Sequence, residues 1–266
     1  MGMGTGSCTA SASTSAGEKK GEDRILSHGD VVLIRSDLTV LRGPRFINDR
    51  IIAFYFAHLS AGLGDDLLLL PPSIPYLLSN LPDRDSVAAV AEPLRLASRR
   101  LVLLPVNDNP DASVAEGGSH WSLLVLDNAT GSGSGSSGPR FVHHDSYRFA
   151  PNLPVACHLA DALRPLLQIR SRRSATVPVV EGPTPTQPNG YDCGVYVMAI
   201  ARTICGWWKN GHGHRGGDWF EAVRTEVNAD SVKAMRTELL QLINTLIQEK
   251  AKASSTSEGN KTGSTD

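Results

Sequence analysis

Residues 187–205 read QPNGYDCGVYVMAIARTIC, and the reading of this stretch decides how the rest of the chain is organised. Asn189-Gly190 is a strong turn signal, and the run from Cys193 to Cys205 is apolar enough for a buried helix. Cys193 therefore opens a helix, where the helix N-terminus and a nearby imidazolium can stabilise a thiolate. Gly194 lets backbone approach the cysteine closely. A cysteine at the head of an apolar helix is more often simply buried, so chemistry has to be sought in the surrounding sequence.

Upstream, residues 117–125 read GGSHWSLLV and residues 141–146 read FVHHDS. WSLLVLD from Trp121 and FVHHD from Phe141 both have strand character, which places His120 at a strand start and Asp145 at a strand end. His120 could take the thiol proton and later protonate a leaving amine, while Asp145 could hold the other ring nitrogen. Gln187 could donate its amide to a developing oxyanion beside the Cys193 N–H. Order and spacing do not show that these groups meet. His143-His144-Asp145 and Cys157-His158 could also be metal ligands, but neither has a remote partner at convincing spacing. His212 and His214 lie in a Gly-rich stretch and read as exposed. Arg170, Arg172 and Arg173 read as a solvated basic patch, and Trp207, Trp208, Trp219 and Phe220 as anchors for the carboxy-terminal helices.

Working outward, Asp30–Arg35 is a strand or a short helical turn. Asn48 or Asp49 can cap a buried helix through IIAFYFAHL. Leu101–Val106 reads as an interior strand, with Pro105 arguing for an edge or a strand end. Leu153–Ile169 has helical spacing that Pro165 should perturb, residues 176–180 are a short strand, and Ser231–Ile247 is an amphipathic helix. Strands in the middle and helices on both sides predict a layered α+β domain. The segments 1–22 and 250–266 have the composition of disordered tails, leaving one domain over 23–249. That domain carries a flexible Gly/Ser-rich insertion at 131–138 and a Gly/His-rich loop at 210–217.

The 266 residues are 41% hydrophobic and 20% charged with a formal net charge of −1, which excludes wholesale disorder and removes the general case for a nucleic-acid coat. No apolar run approaches the length that spans a bilayer, and the start lacks the apolar core of a secretory signal. Four cysteines without a CxxC pair suggest neither a disulfide framework nor a zinc ribbon. A reducing compartment, cytoplasm or nucleus, is the expectation. Phosphate-binding GxxxxGK[ST], zincin HExxH and hydrolase GxSxG patterns are missing.

GGSHWSLLV, HHDS and QPNGYDCGVYV resemble the His, Asp and Gln–Cys blocks of the ubiquitin-like-protein-specific cysteine proteases, the family that includes the SUMO proteases. FINDRII at 46–52 resembles its amino-terminal Trp-Leu-Asn-Asp block. With PVNDN at 105–109, the arrangement is most similar to the NEDD8-specific branch of the family, the deneddylases. The resemblance implies a papain-like fold, α+β with a central mixed sheet and flanking helices. It also implies cleavage after the Gly-Gly terminus of NEDD8, in precursors and in conjugates such as cullins. Its catalytic residues would be His120, Asp145, Cys193 and Gln187. Trp121 would cover a tunnel for the Gly-Gly tail, and Phe46, Asn48 and Asp49 would bind substrate. No metal, organic cofactor, nucleic acid or membrane is implied, and a monomer is expected. A SUMO-specific enzyme and a weakly catalytic modifier-binding module are the alternatives. Phe46 stands where the family usually has Trp, and Pro188 restricts the backbone just after Gln187.

Overall fold

The computed structural model describes residues 23–114, 117–128, 138–149, 151–167, 177–215 and 217–259. The expectations for residues 1–22, for 131–137 of the Gly/Ser-rich insertion, for Arg170, Arg172 and Arg173 and for 260–266 lie outside them.

Five strands form one mixed sheet: β3 (Leu67–Leu69), β4 (Leu101–Asn107), β5 (Trp121–Asp127), β6 (Arg140–His144) and β7 (Val179–Glu181), side by side in that order. β4–β5 and β5–β6 are antiparallel, whereas β3–β4 and β6–β7 are parallel. A separate antiparallel hairpin pairs β1 (Arg24–His28) with β2 (Val31–Ile34). Alternation along the central strands splits the core in two. Leu101, Leu103, Leu123, Val125 and Val142 face α2 (Asp49–Ser60), α6 (Cys193–Lys209) and α8 (Ala229–Gly259). Val102, Leu104, Val106, Leu124, Leu126 and Phe141 face α3 (Ser73–Asn80), α4 (Arg84–Ala91) and α5 (Leu153–Leu163). Burial on both faces explains why β4 and β5 read as continuous apolar runs.

Pro105 sits inside a strand, opposite Leu123. β3 reaches only as far as Leu103, so this half of β4 lacks a strand neighbour on the other side and the missing N–H breaks no ladder there. The expectation of an edge is met locally, within an interior strand. Pro165 ends α5 at Leu163, and a 3-10 turn over Arg164–Leu166 replaces the continuation expected to 169. β7 occupies Val179–Glu181, later than expected. Asn210 to Gly217 contains a 3-10 turn at His212–Arg215. α8 runs on to Gly259, into the segment that composition reads as a tail, with Ala251, Lys252 and Ala253 as good helix formers continuing an established helix. Between β2 and α2 lies α1 (Arg35–Leu41), and α7 (Phe220–Glu226) precedes α8.

Trp219 is 1% exposed, contacts Trp207 and Phe220 edge-on, and donates its indole N–H to His144 Nε2 at 2.9 Å. The aromatic cluster thus ties the carboxy-terminal helices to β6, in the anchoring role that its composition predicts. No helix among the described residues is long and apolar enough to cross a membrane.

Candidate active site

Antiparallel pairing of β5 with β6 puts the start of one strand beside the end of the other, which brings His120 to Asp145. His120 Nε2 lies 2.7 Å from Asp145 Oδ1. A carboxylate only accepts, so the proton is assigned to Nε2, and Nδ1 remains for the Cys193 thiol. Asp145 is itself fixed: the Tyr147 N–H donates to Oδ1 at 2.9 Å and the Asn152 N–H to Oδ2 at 2.7 Å. Burial opposes charge on Asp145, but the bonds from His120, Tyr147 and Asn152 prevail and hold its pKa below the ordinary value. Burial also opposes charge on His120. Hydrogen bonding to Asp145 and then to Cys193 outweighs it and raises the pKa to about 9. The imidazolium is therefore the favoured form at neutral pH, beside the sulfur of Cys193 at the first residue of α6.

The backbone around His120 is held by Asp108 and Asn152. Asp108 accepts from the Ser119 N–H at 2.6 Å, the Ser119 hydroxyl at 2.7 Å and the His120 N–H at 2.9 Å. Asn152 donates its amide to the His120 carbonyl at 3.2 Å, and the Tyr147 ring lies 5.5 Å from the imidazole. Asp108 is signalled by PVNDN. Asn152 has no signal, because its role is created when the start of α5 comes to lie against the His120 carbonyl.

Cys193 is 1% exposed. The Asp192 carbonyl accepts from the Val195 and Tyr196 N–H groups, while the Cys193 N–H is a first-turn donor that the helix itself leaves free. The turn before it is built by Asn189, whose Oδ1 accepts from the N–H groups of Tyr191 and Asp192 and whose amide donates to Asp192 Oδ2 at 2.7 Å. Gln187 is buried despite Pro188. Its N–H donates to the Ser146 carbonyl, its Oε1 accepts from the Ser146 hydroxyl at 2.7 Å, and its amide donates to the Asn189 carbonyl at 2.6 Å. The amide carries a second N–H.

Next to His120 opens a cleft of about 370 Å³ whose lining includes Phe46, Asn48, Asp49, Gly118, His120 and Trp121. Trp121 donates its indole N–H to the Ile47 carbonyl at 2.9 Å. A Cβ at Gly194 would stand 2.8 Å from Ile47 Cβ and 3.4 Å from Trp121 Cδ1, so the ring and Ile47 pack directly on the α6 backbone. Gly118 has φ +83°, and a Cβ there would stand 2.2 Å from Asn107 Oδ1, which requires glycine at this wall. Phe46 is 51% exposed at the rim. Asp49 is exposed. Asn48 caps α2 by accepting from the Ile51 N–H at 3.1 Å, and its amide donates to Asp37 at 2.7 Å. These two bonds fix the side chain at the start of α2, next to Asp49.

The metal alternatives find ordinary partners. His143 Nε2 lies 3.0 Å from Ser122 Oγ, His144 bonds Trp219 and Thr184, and His158 meets the Ser79 carbonyl. Burial keeps His143 and His144 neutral, with pKa values lowered to about 4 and about 3. Among the described residues no group of three or more His, Cys, Asp or Glu side chains could hold a metal ion.

Residues 89–205 match the model of the Ulp1 protease family, C-terminal catalytic domain. The chain is 43% identical over 236 residues to NEDD8-specific protease 1 of Arabidopsis thaliana, covering 88% of this chain and 98% of that protein. It is 32% identical over 185 residues to sentrin-specific protease 8 of Homo sapiens, covering 68% and 81%. Among solved structures, the C-terminal Ulp1 protease domain in complex with Smt3, the yeast orthologue of SUMO, superposes with a TM-score of 0.59 at 18% identity. That match covers 86% of this chain and 90% of the other. Fold, relatives and family match agree: the chain belongs to the Ulp1 protease family and is a cysteine peptidase.

Proposed function

We propose that this peptidase cleaves after the carboxy-terminal Gly-Gly of NEDD8, both in its precursor and in isopeptide-linked conjugates, with Cys193 as nucleophile. The observation that carries the chemistry is the His120–Asp145 pair, held at 2.7 Å beside a cysteine at a helix N-terminus. The choice of modifier is supported by the names of the relatives, NEDD8-specific protease 1 and sentrin-specific protease 8.

The modifier's tail lies in the cleft with its two glycines beneath Trp121, where a side chain beyond hydrogen would meet the indole. The Cys193 thiolate attacks the terminal glycine carbonyl, forming a C–S bond and a tetrahedral oxyanion. The Cys193 N–H and the second Gln187 amide N–H receive that charge. His120 gives its Nδ1 proton to the leaving lysine amine as the C–N bond breaks, and a thioester remains. Water then attacks the thioester, His120 takes its proton, and collapse breaks the C–S bond, frees the modifier and restores the thiolate beside the protonated His120. Asp145 stays ionised throughout and keeps the imidazole in one orientation. Asp49, exposed at the cleft, is placed to accept from backbone N–H groups of the tail. The enzyme acts as a monomer, and cullins are among its conjugates.

Carboxy-terminal activity probes of NEDD8, SUMO and ubiquitin, reacted side by side with wild-type protein and Cys193→Ala, test this. The expected result is a covalent adduct on Cys193, formed fastest with NEDD8. Labelling that persists in Cys193→Ala sinks the nucleophile assignment, and a faster SUMO reaction reverses the substrate.

A further inference from the structure

We infer that Arg236, on α8 and outside the cleft, is a positioning residue that holds the tail cleft in register with the nucleophile. The inference rests on the peptidase reading above. The Arg236 guanidinium meets four acceptor atoms on two segments that share no strand pairing. Its Nε donates to Asp192 Oδ1 at 2.7 Å, and Nη2 lies 2.6 Å from the same oxygen. Nη1 donates to the Val40 carbonyl at 2.8 Å, and Nη2 to the Arg45 carbonyl at 2.8 Å and the Tyr191 carbonyl at 3.4 Å. The guanidinium also sits 5.7 Å from the centre of the Tyr191 ring.

The two ends of this strap have different jobs. Asp192 directly precedes Cys193, and its other carboxylate oxygen holds Asn189, the residue that shapes the nucleophile turn. Val40 and Arg45 bracket the turn that delivers Phe46, Ile47, Asn48 and Asp49 to the cleft, including the carbonyl that fixes the Trp121 indole. The side chains of Arg236 and Asp192 are 11% and 12% exposed, so water competes little for these bonds. A guanidinium is a rigid plane of five donors, so the distance between its acceptors is set by covalent geometry. Lysine keeps the charge, but its three N–H donors share one nitrogen on a flexible stem, which cannot span the carboxylate and both carbonyls. Its replacement loosens the cleft wall relative to the thiol while leaving the His120–Asp145–Cys193 arrangement to its own bonds.

The test uses the full chain as wild type, Arg236→Lys and Arg236→Gln, each assayed at a temperature where circular dichroism shows it folded. Three quantities are read: alkylation of Cys193 by iodoacetamide, the single-turnover rate constant with a NEDD8 fusion at saturation, and KM. In a folded variant, alkylation should stay within about twofold while the single-turnover constant falls at least about 10-fold and KM changes by less than about threefold. Equal losses in alkylation and cleavage overturn the inference, as does a folded variant with wild-type cleavage. Failure of both variants to fold overturns it in favour of a purely structural strap. If wild-type protein leaves the NEDD8 fusion intact, the peptidase reading fails instead, whatever residue 236 does.

Discussion

Gly194→Ala separates stability from catalysis more sharply than a change to any group that takes part in the chemistry. The added methyl would stand 2.8 Å from Ile47 Cβ, 3.3 Å from Ile47 Cγ2 and 3.4 Å from Trp121 Cδ1. Comfortable carbon–carbon contact begins near 3.5 Å, so Ile47 has to retreat by roughly 0.7 Å or more. Overpacking of this size costs about 1–3 kcal/mol, and exchanging glycine for alanine in a helix returns about 1 kcal/mol. The net loss of stability is therefore about 0–2 kcal/mol, a few degrees in melting midpoint. The catalytic effect is larger, because the Ile47 carbonyl holds the Trp121 indole and both line the cleft. A displacement approaching 1 Å in a substrate-positioning element costs on the order of 100-fold in rate. Thermal melting, iodoacetamide alkylation of Cys193 and cleavage of a NEDD8 fusion, measured in parallel, should show near-native stability, near-native alkylation and a large loss of cleavage. A folded Gly194→Ala enzyme that cleaves within twofold of wild type would refute the close-packing argument for the cleft.

His120→Ala removes the base and the acid together and should lower single-turnover cleavage by at least about 100-fold, while Asp145→Asn should impair turnover with modifier affinity much less changed; binding and rate measurements on the same samples check both. Trp121→Ala should leave a folded protein whose Cys193 still alkylates but whose fusion cleavage drops sharply, and unimpaired cleavage would reject the lid. The pH dependence of stability divides by residue. For His120 the folded pKa is raised from 6.5 to about 9, so its contribution is complete below pH 6.5 and is lost as pH rises through about 9; the difference in melting midpoint between wild type and His120→Gln should shrink across that window. His143 and His144 are depressed to about 4 and about 3, so the unfolded chain binds more protons below pH 6.5 and stability should fall progressively towards pH 4. Urea titrations at several pH values read this slope, and a flat profile between pH 6.5 and 4 contradicts the buried neutral histidines.

The sequence by itself determined the layered α+β class, the continuous apolar strands and the candidate groups His120, Asp145, Gln187 and Cys193. Each rests on local information: a turn signal, a run of apolar residues, or a reactive side chain at the end of a periodic segment. Only the tertiary structure decided that the two strand ends meet, because pairing of β5 with β6 is a relation between segments that neither encodes alone. It also showed which of the two cap candidates is used: Asn48, a substrate contact by family resemblance, caps α2 and bonds Asp37. The residues that hold the site together were the least legible. Asn152 acts through an amide to a carbonyl 32 residues away, and Arg236 through carbonyls 191 and 196 residues away. A backbone carbonyl carries no side-chain signature, so partners of this kind are invisible until the chain has folded and placed them.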